Sequence, residues 1–105
     1  MIPPMPERYR VNLTLNAAGQ LQEIFEYIRQ DSPQNARRMI ERLIDGVDSL
    51  EAFPHRYKIL RDVATFGEEV RSMPVLPYLI RYHVDDRNHI VTILSVRHGA
   101  RRPGL

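Results

Sequence analysis

The chain has no cysteine. That excludes a disulfide framework, a thiolate nucleophile and a zinc–thiolate centre, and it is compatible with the cytoplasm, where we expect the protein to work. Long apolar runs are missing as well: none approaches the ~18 residues needed to span a bilayer. Residues 1–6, MIPPMP, carry neither the basic segment nor the apolar stretch of a signal peptide, and their three prolines predict an extended, frayed N-terminal arm. Also absent are a glycine-rich phosphate loop, a His-Glu-x-x-His helix, a Gly-x-Ser-x-Gly elbow and an EF-hand loop. The histidines, at 55, 83, 89 and 98, lack metal-ligand spacing. Neither a metal nor a cofactor is expected.

What remains is an ordinary globular composition. A chain of 105 residues, 43% hydrophobic and 27% charged, fits one domain over 1–105. A domain of this size buries roughly two-thirds of its unfolded-chain surface. The net charge of +2 is unevenly spread: residues 1–53 sum to −2 and residues 54–105 to +4. Of the 15 basic residues only Lys58 is lysine. Arginine suits bidentate contact with carboxylate or phosphate, although a GC-rich genome produces the same bias.

Hydrophobic periodicity predicts the elements. Residues 7–15 alternate, with Tyr9, Val11, Leu13 and Leu15 on one face, which reads as a strand. Asn16 is then placed to cap a helix striped by Leu21, Ile24, Phe25 and Ile28. Ser32 and Pro33 restart the chain as N-cap and first helical residue. A second stripe follows: Ala36, Met39, Ile40, Leu43, Ile44, Val47 and Leu50, ended by Phe53-Pro54. Residues 55–61 fit either a short strand or an irregular loop. Residues 69–75 read as an edge strand because of Pro74, residues 78–84 as an alternating strand, and residues 90–96, apolar on both faces, as the most central one. The expected fold is therefore α+β: a helix hairpin on a mainly antiparallel four-stranded sheet, in the order β-α-α-β-β-β.

Two carboxylate pairs invite an acid–base reading. Asp85-Asp86 fits a turn better, and Glu68-Glu69 fits a solvated lead-in to a strand. Arg37, Arg38 and Arg42, interleaved with Glu41, Asp45 and Asp48, fit a solvated helix face. The remaining set is Arg71, Arg81, Arg97, Arg101 and Arg102 with His98, delivered by three successive strands and the tail. Gathered on a sheet, such cations suit a phosphate backbone or an acidic partner segment.

Several segments together resemble the RelE/ParE superfamily of type II toxin–antitoxin toxins over about residues 8–102. They are Asn16-Ala17-Ala18, Leu21-x-x-Ile24-x-x-Tyr27-Ile28, Ser32-Pro33 with Ala36, Leu50-x-x-Phe53-Pro54 and Val70-Arg71. The run at 78–84 and the ending Ile93-Leu94-Ser95-Val96-Arg97-His98-Gly99-Ala100-Arg101-Arg102 complete the set. The resemblance implies a growth-inhibiting toxin in a hetero-oligomer with a cognate acidic antitoxin, and it leaves two activities open. RelE-like members cleave ribosome-bound messenger RNA without metal; ParE-like members poison DNA gyrase. The nuclease branch places an arginine directly after the tyrosine of the third strand, where this chain has Leu79, and often a tyrosine or histidine in the tail, where no tyrosine follows Val96. Arg81 and His98 are the replacements available for its chemistry, and an unperturbed histidine pKa of about 6.5 suits the task. Arg71, Arg97 and His98 match positions common in the ParE-like branch, which the resemblance therefore favours. A non-toxic binding module retained for operon autoregulation is a third possibility.

Overall fold

The computed structural model of the chain describes residues 8–60 and 68–100. The predicted N-terminal arm over 1–6 and the tail arginines Arg101 and Arg102 lie outside those residues. Strand β1 (Arg10–Leu13) leads into helices α1 (Leu15–Arg29) and α2 (Pro33–Ser49). Strands β2 (Ile59–Leu60), β3 (Val70–Val75), β4 (Tyr78–Asp85) and β5 (Ile90–His98) follow. They form one sheet in the order β1-β5-β4-β3-β2, with β1 parallel to β5 and every other neighbour antiparallel.

This is the expected α+β architecture with a fifth, very short strand. The uncertain stretch after α2 supplies β2, which pairs only Ile59 with Arg71 and Leu60 with Val70. Its addition puts β4 in the middle of the sheet, while β5, expected to be most central, lies between β4 and β1. Pro74 falls beyond the reach of β2, where β3 has a partner on one side only. A proline without an N–H is tolerated there.

The junction between β1 and α1 differs from the periodicity reading. Thr14, not Asn16, is the N-cap: its backbone is extended and its hydroxyl accepts the Ala17 N–H at 3.1 Å. The same hydroxyl donates to the Ile93 carbonyl at 2.8 Å, so one side chain caps the helix and ties it to β5. Starting the helix at Leu15 turns that side chain outward, 93% exposed, and Leu13 at the end of an edge strand is 43% exposed. The second cap is as expected: Ser32 accepts the Asn35 N–H at 3.2 Å and Pro33 opens α2.

The core lies between the helix pair and one sheet face. Leu43 of α2 and Leu50 at its C-cap pack with Met73, Ile80, Tyr82, Val91 and Ile93, all fully buried; each such side chain stabilises the fold by roughly 1.5–3 kcal/mol. Gly46 brings α2 close to β3, since an added Cβ would sit 3.0 Å from Val75 Cγ2 and 3.3 Å from Met73 Cε. At the far end of the β4–β5 hairpin, Asp85 Oδ1 accepts the N–H groups of Arg87 and Asn88, each at 3.1 Å. His89 closes that turn in the left-handed region, at φ 54°.

Candidate functional site

Cross-strand partners share a sheet face, so the β4–β5 register sorts the candidate residues. Tyr78, Ile80 and Tyr82 face the helices, and Leu79, Arg81 and His83 face away. A bulge interrupts the pairing: Arg81 is opposite Ser95 but Tyr82 is opposite Ile93, leaving Leu94 as an extra residue in β5. One inserted residue reverses the phase of everything after it. Arg97, opposite Leu79, therefore joins Arg81 on the open face, and His98, opposite Tyr78, turns to the helix side. Arg81 and Arg97 are diagonal neighbours, with backbones roughly 7–8 Å apart.

The bulge coincides with the end of β1, and α1 completes the exposed edge of β5. Asn16 Nδ2 donates to the Leu94 carbonyl at 2.9 Å, and Gln20 Oε1 accepts the Val96 N–H at 2.7 Å. His98 is held against the Tyr78 ring edge-on, with centroids 5.5 Å apart. Its Nδ1 accepts the Ala100 N–H at 3.1 Å, so in this arrangement a ring proton resides on Nε2.

Residue-level reading of the sequence missed His83 as a site neighbour, although strict alternation from Arg81 already places it on the same face. Its Nδ1 donates to the Glu69 carbonyl at 2.9 Å and its Nε2 lies 3.3 Å from the Glu68 carboxylate. The Glu68-Glu69 pair is thus more than a solvated lead-in: it anchors the start of β3 to β4.

Arg71 is not part of the open face. It lies opposite Tyr82, on the helix side, and its Nη1 donates to the Tyr57 carbonyl at 2.7 Å and the His55 carbonyl at 3.3 Å. The Tyr82 hydroxyl donates to the Pro54 carbonyl at 2.7 Å in the same loop. Burial pushes the Tyr82 phenol up to about 12, against the opposing pull of the Arg71 charge.

Asp86, read from the sequence as a turn residue, also joins three segments. Its Oδ1 accepts the Tyr9 hydroxyl and His55 Nε2, each at 2.6 Å. The Tyr9 ring stands edge-on between His55 and His89, at 5.8 and 5.0 Å. The Tyr9 hydrogen bond, helped by His55 and by the Arg71 charge, holds the Asp86 carboxyl below the ordinary range. Among the described residues no group of three or more His, Cys, Asp or Glu side chains is arranged to hold a metal ion. No helix among them is long and apolar enough to cross a membrane.

A two-helix layer on a five-stranded sheet with this strand order defines a RelE/ParE-type toxin fold. Residues 11–103 match the family described as the ParE toxin of the type II toxin–antitoxin system parDE, and the chain belongs to that family, within the RelE/ParE superfamily. Among curated relatives, Toxin RelE2 from Caulobacter vibrioides is 42% identical over 88 residues, 84% of this chain and 92% of its own. Putative toxin Y4kP from Sinorhizobium fredii is 30% identical over 92 residues, 83% and 88% of the two chains. Among solved structures, the toxin–antitoxin complex RelBE2 of Mycobacterium tuberculosis superposes with a TM-score of 0.65 at 26% identity. That match covers 87% of this chain and 98% of the other. The archaeal RelE–RelB complex of Pyrococcus horikoshii OT3 gives a TM-score of 0.64 at 18% identity, covering 90% and 99%, and shares the fold alone. The protein is a toxin of a type II toxin–antitoxin system.

Proposed function

We propose that this toxin arrests growth by inhibiting DNA gyrase and is neutralised by an acidic antitoxin seated on the open sheet face. The carrying observation is the separation of Arg81 and His98. Metal-free cleavage of RNA needs a base for the 2′-hydroxyl, a cation for the developing phosphorane charge and an acid for the leaving oxygen, all within reach of one phosphate. Here the cation and the tail histidine lie on opposite faces of the sheet. An arginine pair without that histidine suits carboxylates of a protein partner. Arg81 and Arg97 are the proposed contacts for the antitoxin, Arg101 and Arg102 follow them in the sequence as two further cations, and Arg71 braces the loop at 55–57 instead of joining the contact.

The test is direct. Purified toxin, freed of antitoxin, is expected to inhibit gyrase supercoiling or to accumulate cleaved gyrase–DNA complexes while cell-free translation continues. Untouched supercoiling at concentrations that stop growth would rule the proposal out.

A second reading, ribosome-dependent cleavage of messenger RNA, is favoured by the likeness to a relative named Toxin RelE2. In that reading Arg81 carries the phosphate charge and His98 is the tail acid or base. Cleavage of ribosome-bound messenger that survives combined Arg81→Ala and His98→Ala substitution eliminates these two residues as its machinery.

A further inference from the structure

We infer that the loop leaving α2 is a docking ridge for the toxin's protein target, separate from the arginine face. Within seven residues the loop and the first residue of β2 leave two large apolar side chains in solvent: Phe53 is 62% exposed and Ile59 42%. Exposed Arg56 and Lys58 stand between them. Single exposed hydrophobics are normal; an exposed phenylalanine with an exposed arginine three residues on gives the aromatic-plus-arginine composition enriched at protein interfaces.

The ridge is rigidly seated. The Arg56 N–H bonds the Phe53 carbonyl at 3.4 Å and closes the turn that carries the ring. Beneath it, Tyr82 holds the Pro54 carbonyl, Arg71 holds those of His55 and Tyr57, and Asp86 holds the His55 ring. A loop already fixed in one conformation loses little freedom on binding.

Charge defines the partner. Asp86 is engaged by Tyr9 and His55, and Glu51 lies 3.7 Å from Arg8. Among the described residues no ion pair reaches Arg56 or Lys58. The fitting occupant is an acidic protein segment bearing at least one apolar side chain. A nucleic acid fits less well: tracking a phosphate backbone takes a positively charged groove, whereas this loop carries two exposed cations and holds two carboxylates, Glu51 at its start and Asp86 on the His55 ring.

The identity of the target rests on the gyrase proposal; the existence of the ridge does not, and the experiment separates them. Phe53→Ser, and independently the double variant Arg56→Glu/Lys58→Glu, are compared with the parent chain in three measurements. These are growth arrest on induced expression, inhibition of purified gyrase, and thermal melting by circular dichroism. All three substituted side chains are exposed, so both variants are expected to melt cooperatively within a few degrees of the parent. Growth arrest is expected to demand at least tenfold more expression, and gyrase inhibition to weaken at least tenfold. If the parent arrests growth without touching gyrase, and folded variants lose the arrest, the ridge stands and the gyrase proposal falls. Folded variants that arrest growth like the parent overturn the ridge. So does a result in which only binding of a labelled single-stranded RNA weakens.

Discussion

Tyr82 and Asp86 illustrate how single side chains tie remote segments together. Tyr82 is fully buried, and its hydroxyl meets the Pro54 carbonyl 28 residues away. Tyr82→Phe leaves that carbonyl without its partner, and a loss of about 1–2 kcal/mol is expected in urea denaturation. The pH dependence has a defined sign. The unfolded chain releases the phenol proton at 10.0 and the native one holds it to about 12, so stability falls as pH rises through that window. The stability difference between the parent and Tyr82→Phe should therefore shrink above pH 10, and a difference constant across the window would contradict this account. Asp86 titrates at the other extreme. Its native carboxyl ionises below the ordinary 3.8, so its contribution is present above that value and lost as pH falls through the lower native one. Asp86→Ala should lower the melting temperature at pH 7, with the gap to the parent closing under strong acid. A gap that persists unchanged into strong acid would show that the carboxylate charge is irrelevant to the contact.

At the scale of elements, two helical glycines make a controlled comparison. Gly19 in α1 has no atom within 4 Å of an added Cβ, whereas Gly46 in α2 faces Val75 and Met73 at contact distance. Gly19→Ala removes backbone freedom from the unfolded chain and should stabilise by about 0.5–1 kcal/mol. Gly46→Leu must push α2 off β3 and should destabilise by roughly 1–3 kcal/mol. Chemical denaturation of the two variants checks both signs; a neutral Gly46→Leu would mean that α2 and β3 do not pack as tightly as these contacts require. Helix α1 also serves as edge cover, since Asn16 and Gln20 replace the strand that β5 lacks beyond Leu13.

At the scale of the whole molecule, the surface divides into an open face with Arg81 and Arg97 and a loop end with Phe53, Arg56 and Lys58. Charge reversal on the open face, Arg81→Glu with Arg97→Glu, should weaken binding of the cognate antitoxin at least tenfold at low salt. The Debye length is about 30 Å at 0.01 M salt and about 3 Å at 1 M, so the penalty should shrink as salt is raised. Calorimetric titration across salt concentrations measures this directly. A parent affinity insensitive to salt would remove charge steering from the antitoxin interface.

Much of the architecture is legible without coordinates. The two helical stripes, the Ser32-Pro33 restart, the alternating strand with Tyr78, Ile80 and Tyr82 inward, and the membership of the toxin superfamily all follow from patterns within a few residues of one another. These signals are local because helix and strand periods, caps and turn chemistry are local. What faces what was decided only by tertiary structure. Continued from Ile90 without interruption, the two-residue period puts His98 on the same face as Thr92, and hence of Arg81. The bulge at Leu94 reverses that, and it arises where β1 ends and α1 takes over the edge. Arg71 looked like a surface cation and became a brace, because the carbonyls it holds are 14 and 16 residues away. Asp86 looked like a turn residue and became a clasp, because Tyr9 reaches it across 77 residues. Periodicity assigns a residue to a face of its own element; only pairing between distant segments sets register, and register decides which charges share a surface.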